Sequence, residues 1–265
     1  MVARSTWLPN LRRFIIPDEG MILASADLAG ADAQVVAWDS GARLLKEGFR
    51  SGMKIHAFNA INMYGKAQAG HDGKNEPYYT RCKVLCHAFN YFGQPRGVAG
   101  KAGLVVRECE DFQRRWFQMN PEIPRWHKRI NTQLLHNQTI KNALGYAITF
   151  RARYKPTKVD GMSPLLPKAL GWIGQSSVAF VTQLAQINLI FRPADELPWL
   201  DMLLLQVHDE LVMQWPIEYN HLRHQILPYI NITLPYADPL IIPWALKTST
   251  DSWGECVDCK WQDAA

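Results

Sequence analysis

The chain has 265 residues, 48% of them hydrophobic and 20% charged, which suits a folded protein with a sizeable core and excludes a disordered or collagen-like chain. No run of eighteen apolar residues occurs, so a membrane span is not expected, and MVARSTWLPNLRR has no apolar stretch of the secretory kind. The net charge of +5 permits a polyanionic partner and equally describes a solvated basic surface.

In chain order, MILASADL (21–28) is an apolar run with Asp27 near its end and reads as a strand. Residues 29–38 are small and tolerate a helix. LLKEGF and KIHAFNAINMYG (54–65) have helical spacing, with Ile55, Phe58, Ala60 and Ile61 available for a core face. GKAQAGHDGKNEP (65–77) is polar, rich in glycine and closed by proline, so it reads as a loop. A helix follows over 78–91, ended by Gly93 and Pro95. Residues 105–118 and 122–138 have helical spacing. ALGYAITFRARYKPT (143–157) alternates and reads as a strand pair. Residues 174–191, opening GQSS, read as a helix. QVHDELVMQ (206–214) reads as a strand pair with an acidic centre. A helix near 217–230 and a β-like PLIIPWALKTST (239–250) complete the chain. Strands at both ends with helices between suggest an α+β domain, a sheet carrying a helical insertion.

Five scattered cysteines, Cys82, Cys86, Cys109, Cys256 and Cys259, suit a reducing compartment better than a disulfide framework. Cys256 and Cys259 form a lone CxxC with no second ligand pair for zinc. His71, His127, His136 and His221 read as surface or core histidines.

Two acids stand at strand-associated positions, Asp27 and Asp209. Carboxylates gathered from different strands can hold two divalent ions about 3.5–4 Å apart, a clamp for phosphoryl oxygens. Asp209 and Glu210 can equally be the turn of a hairpin, where Asp is common. Within YYTRCKVLCHAFNYFG, Lys83, His87 and Tyr91 fall at i, i+4 and i+8, on one helix face. An ammonium, an imidazole and a phenol in a row can bind phosphates and stack on a base, or can be a basic amphipathic surface.

Three ordered segments resemble the motifs of family A DNA polymerases, the DNA polymerase I type, and look most like its phage members. ADLAGADAQVVA (26–37) is similar to the first motif, KVLCHAFNYFG (83–93) to the second, and QVHDELV (206–212) matches the HDE of the third. STWLPNL (5–11), the Ile-His at 55–56, GYAITFRARY (145–154), GQSSVA (174–179) and PLIIPWALKTSTDSW (239–253) add weaker matches. The resemblance implies a right-hand fold: an antiparallel palm sheet over 1–40 and 161–265, with helical fingers over 41–160. Thumb and exonuclease precede the PNL segment in that family, and only nine residues precede Asn10 here. A fragment or a split polymerase is therefore expected, with a separate chain supplying thumb and exonuclease. The phage likeness implies action in the host-cell cytoplasm, with no membrane partner.

The resemblance implies a DNA-directed DNA polymerase whose partners are primer-template DNA and a dNTP and whose cofactor is Mg2+, as two ions. Asp27, Asp209 and the backbone carbonyl of Leu28 would hold the ions, with Glu210 as a supporting acid. Lys83 would neutralise the triphosphate and act as general acid toward pyrophosphate. His56, His87, Tyr91, Asp32 and Arg81 would line the nucleotide site. Asn10, Arg151, Gln175 and His208 would touch DNA, and Arg12 and Arg13 could hold its phosphates or be surface charge. Departures from the family's pattern are Asp32 in place of Glu, which guards against a ribose 2′-hydroxyl, Tyr79 in place of Arg, and Phe92 in place of Gly. The competing readings are a single-subunit RNA polymerase and a non-catalytic nucleic-acid-binding subunit.

Overall fold

A computed structural model of the chain describes residues 10–151, 161–193, 195–200 and 202–262. The expected matches at 5–9 and 152–154 lie outside those residues. The elements in order are β1 (Met21–Leu28), α1 (Ala31–Ser40), α2 (Arg43–Arg50), α3 (Ile55–Tyr64), α4 (Lys66–Ala69), α5 (Tyr78–Asn90), α6 (Pro95–Ala102), α7 (Val106–Met119) and α8 (Glu122–Asn137). Then come β2 (Thr139–Lys141), β3 (Ala147–Thr149), α9 (Leu166–Ile190), β4 (Met202–Val207), β5 (Glu210–Pro216), α10 (Leu227–Ile230), β6 (Thr233–Leu234), β7 (Leu240–Ile241), β8 (Trp244–Ser249) and β9 (Val257–Cys259). Short 3-10 segments cover Leu11–Phe14, Ile217–Ile226 and Trp253–Glu255. Among the described residues no helix is long and apolar enough to cross a membrane.

The chain divides into two compact units, Met1–Ala31 with Val178–Ala265, and Asp32–Ser177. The sequence reading drew its boundaries at 40 and 160 instead. Residues of α1 from Asp32, and those of α9 up to Ser177, group with the helices.

The first unit is built on a five-stranded antiparallel sheet in the order β4-β5-β1-β8-β9. Central β1 is buried from Ile22 to Ala26. A strand paired on both edges and covered on both faces needs an unbroken apolar run rather than alternation. Asp27 stands opposite Glu210 on β5 and Ala245 on β8, while Ser25 stands opposite Val212 and Lys247. Directly opposed residues share a sheet face. On this one, Leu23, Val212 and Trp253 form a packed cluster. The helix expected near 217–230 is mostly a 3-10 segment, with one α turn at its end. The β-like 239–250 stretch is two strands that serve different sheets: β7 pairs with β6, and β8 joins β1. Pro243 between them lacks the N–H that a continuing ladder needs.

The second unit is helical. Residues Ile55, Ala57, Ala60 and Met63 of α3, and Cys82, Leu85, Cys86 and Phe89 of α5, are buried. The face of α3 is thus turned slightly from the expected one, since Phe58 and Ile61 are only half-buried. Three expectations shift. The 65–77 loop contains the single turn α4. Pro95 lies past the end of α5 at Asn90 and opens α6, because the first helical turn needs no N–H from it. The strand pair lies further upstream, with β2 and β3 joined by a turn in which the Asn142 side chain accepts from the N–H groups of Leu144 and Tyr146. Helix α9 begins eight residues before GQSS. Ser163 receives the Leu165 N–H there, and Leu166, Ala169, Leu170 and Ile173 carry its apolar stripe.

Gly73 has a φ of +71°, and a Cβ there would lie 2.2 Å from the carbonyl oxygen of Ala57, beside His56 on α3. Gly52 has a φ of +74° but no neighbour within 4 Å. Gly73→Ala is therefore expected to lose more than about 2 kcal/mol of stability. Gly52→Ala should lose only about 1 kcal/mol, the left-handed penalty alone. Urea midpoints of the two variants check this, and equal losses would contradict it.

Candidate functional site

The acid turn is made by the β4–β5 hairpin. Val207 pairs with Glu210, and His208 and Asp209 form the two-residue connection. His208 has a φ of +58°. A left-handed non-glycine residue costs about 1–3 kcal/mol and persists where its surroundings fix it. Here the His208 carbonyl accepts from Gln206 Nε2 at 3.0 Å, and the Asp209 carbonyl accepts from the Leu28 N–H at 3.1 Å. The second bond sets the turn against the end of β1, so Asp209 stands beside the Asp27–Leu28 segment. Among the described residues neither Asp27 nor Asp209 has a hydrogen-bond or ion-pair partner for its carboxylate.

Glu210 behaves differently. It is buried, its Oε1 accepts from Ser25 Oγ and from Trp253 Nε1 at 2.8 Å, and its Oε2 pairs with Arg12 Nη2 at 3.0 Å. Both oxygens are committed. Burial, with the charges of Asp209 and Glu210 close by, pushes the Asp27 carboxyl up to about 6, against the opposing pull of Lys247 and Arg12. Two unpartnered carboxylates in mutual repulsion, next to backbone carbonyls, fit a hard divalent cation such as Mg2+. No three His, Cys, Asp or Glu side chains converge on a single metal position among the described residues. Cys256 and Cys259 likewise gather no further metal-ligating side chains among the described residues. Burial pushes the Cys256 thiol up to about 11, so it is not a ready thiolate.

In the helical unit, Lys83 and His87 lie on α5, and Tyr91, the residue just past its end, meets the His87 ring edge-on. Lys83 and His87 are exposed, and Lys83 has no acidic partner among the described residues. Asp32 at the start of α1 gathers the other two. Tyr91 donates its hydroxyl to Asp32 Oδ1 at 2.5 Å, and His87 Nδ1 lies 3.5 Å from Oδ2. Burial and the Asp32 charge push the Tyr91 phenol far up, so it remains a donor. Gly174 of α9 completes the arrangement, since a Cβ there would come within 2.5 Å of the Tyr91 hydroxyl and 2.6 Å of Asp32 Oδ1. His56 joins the same cluster. Burial and the nearby Lys83 and His87 push it down to about 4, and its buried Nδ1 has no partner. Tyr79 meets the His56 ring edge-on.

The end of α5 is fixed by a cap that the sequence disguised. Gly93 N–H bonds to the Ala88 carbonyl and Phe92 N–H to that of Phe89, with Phe92 itself at a φ of +61°. That is a helix stop normally made by glycine. Phe92 keeps it by packing edge-on against buried His127, which in turn bonds the Asn90 carbonyl at 2.8 Å.

Other expected residues fall elsewhere. Arg81 lines a cavity of about 260 Å³ with Tyr64, Glu108 and Arg115, apart from the Lys83 row. Asn10 caps the 3-10 turn by accepting from the Arg12 N–H. Arg12 and Arg13 are engaged in ion pairs with Glu210 and Glu255. Arg151, Gln175 and His208 are exposed. Ser25, Trp253 and Gly174 were missed, because each acts through contacts far along the chain that no local pattern marks.

The sequence profile of DNA polymerase family A matches residues 2–233. A thermostable DNA polymerase I of Thermus filiformis is 28% identical over 211 residues, 78% of this chain and 24% of that protein. The DNA polymerase of Mycobacterium phage D29 is 27% identical over 214 residues, 81% of this chain and 32% of that one. The chain thus spans about a quarter to a third of the length of these curated relatives. Among solved structures, the polymerase domain of Pol1 from M. smegmatis, in complex with DNA primer-template and dNTP, has the same fold. Its TM-score is 0.72, at 20% identity, over 91% of this chain and 41% of that one.

Asp27 has a testable signature. With its folded pKa near 6 against an ordinary 3.8, the folded chain binds more protons than the unfolded one between those values. Its ionisation therefore removes stability as pH rises from about 4 to about 6. In metal-free buffer, Asp27→Asn should melt above the wild type at pH 7.5, and the difference should shrink toward zero at pH 4. An equal difference at both pH values would contradict the assignment.

Proposed function

The chain belongs to DNA polymerase family A, and from that premise we propose that it performs template-directed nucleotidyl transfer, in which a primer 3′-hydroxyl attacks the α-phosphorus of a dNTP and pyrophosphate leaves. The observation that supports this best is the pair of unpartnered carboxylates, Asp27 and Asp209, set side by side by the Leu28–Asp209 backbone bond. In this reading the sheet unit is the palm and the helical unit the fingers.

Asp27, Asp209 and the Leu28 carbonyl would hold the metal. Two Mg2+ ions bound there would supply Lewis acidity at the 3′-hydroxyl and neutralise charge on the triphosphate. Lys83, with no acid to occupy it among the described residues, binds the triphosphate and protonates departing pyrophosphate. His56, neutral at pH 7, offers a ring nitrogen to a phosphate oxygen. Tyr91, steadied by Asp32, packs against the incoming base pair, with His87 beside it. Asn10, Arg151, Gln175 and His208 contact primer or template, positioning the duplex without reading its sequence.

Asp27→Ala and Asp209→Ala should each reduce Mg2+-dependent primer extension by on the order of 10³-fold or more while primer-template binding persists. Extension undiminished in both variants, or synthesis from NTPs without a primer, would sink the reading. Asp32→Glu, one methylene longer at the position that resembles the family's sugar guard, should raise the preference for dNTPs over NTPs by on the order of tenfold. Competing single-nucleotide additions measure it, and an unchanged ratio would remove Asp32 from sugar selection.

A further inference from the structure

Glu210 is an acid next to a metal-holding acid, on the same sheet face as Asp27, yet it is withheld from solvent. Its Oε1 takes two donors, the Ser25 hydroxyl and the Trp253 indole. Among the described residues only Arg12 engages its Oε2. The Arg12 guanidinium also lies 4.1 Å from the centroid of the Trp253 ring. One indole therefore donates to Glu210 and supports the cation that pairs with it. The arrangement is anchored from both sides. Arg12 N–H is held by Asn10, Trp253 N–H donates to the Ile15 carbonyl, and Arg13 pairs with Glu255.

We propose that Arg12 is a positioning residue: by clamping Glu210 against Trp253 and Ser25, it keeps the divalent site a two-carboxylate site and sets its affinity. The proposal rests on Asp27 and Asp209 holding a divalent ion. With Arg12 removed, Glu210 keeps donors on one oxygen only. Its other oxygen becomes a buried, unpaired acceptor beside two acids, and a divalent ion is the nearest cation that satisfies all three. The Arg12 side chain is 49% exposed, and an ion pair so open to water adds little to stability. Its removal should be felt in metal affinity, and in folding only to the extent that Glu210 Oε2 is left unpaired.

Mn2+ serves as the probe, with free ion read by electron paramagnetic resonance in titrations of the full chain. Arg12→Gln should tighten Mn2+ binding on the order of fivefold, and charge-retaining Arg12→Lys should stay within about twofold of wild type. In a Glu210→Gln background, Arg12→Gln should have no further effect, because the arginine acts through the glutamate. Unchanged affinity in Arg12→Gln overturns the proposal. So does an equal shift in both backgrounds, which would mean a general charge effect. Asp27→Asn and Asp209→Asn separate the two ideas. If they leave Mn2+ binding intact, the metal reading itself fails. If they abolish it while Arg12→Gln is silent, only the clamp fails.

Discussion

The Leu28 N–H that donates to the Asp209 carbonyl closes the gap between two chain segments far apart in sequence. It continues the β1–β5 ladder past its last pair, Asp27 opposite Glu210. A slip of one residue in that ladder would turn every side chain to the other face. Leu23 and Val212 would leave Trp253, Glu210 would lose Ser25, and Asp209 would no longer stand beside Asp27. The register is held from several directions: by the apolar contacts of Leu23 and Val212, by β8 on the other edge, and by the bond between Gln206 and His208 that supports the strained turn. The site is thus a consequence of strand register.

Register brings a cost with it. Three carboxylates collect at one end of β1, and burial together with the charges of Asp209 and Glu210 pushes the Asp27 carboxyl up to about 6. The protein relieves this unevenly. Glu210 is neutralised in place by Arg12, Trp253 and Ser25, whereas Asp27 and Asp209 are left unpaired. The helical unit has the opposite design. There Lys83 is left without an acid, and Asp32 is spent on Tyr91 and His87. One unit thus offers free negative charge and the other free positive charge, as a metal ion and a triphosphate require.

Much of this could be read from the residues alone. Strand β1, the β4–β5 hairpin and helices α3, α5, α7 and α8 carry their periodicity locally. Lys83, His87 and Tyr91 share a face through helical spacing alone. Other elements escaped because one residue type served two purposes. Pro95 starts a helix where it read as a stop, and Pro243 splits an apparently continuous strand. GQSS looked like a helix start but lies inside α9, whose first turn is supported by Ser163. The expected glycine-type stop after α5 exists although a phenylalanine occupies it, because His127 gives Phe92 a packing partner. In the site, all three acids were legible, but the partners of Glu210 were not. Nothing near Arg12 or Trp253 in sequence points to Glu210, and Arg12 read as a holder of DNA phosphates or as surface charge for that reason.

The central claim is that Asp27 and Asp209 carry a metal-dependent transfer of a nucleotide to a primer. The most direct measurement mixes the full chain with an end-labelled primer-template and a single complementary dNTP, and counts extended primer and released pyrophosphate together. The account predicts one pyrophosphate per nucleotide added, with neither formed when Mg2+ is withheld. Tight binding of primer-template with no pyrophosphate released in Mg2+ would contradict it.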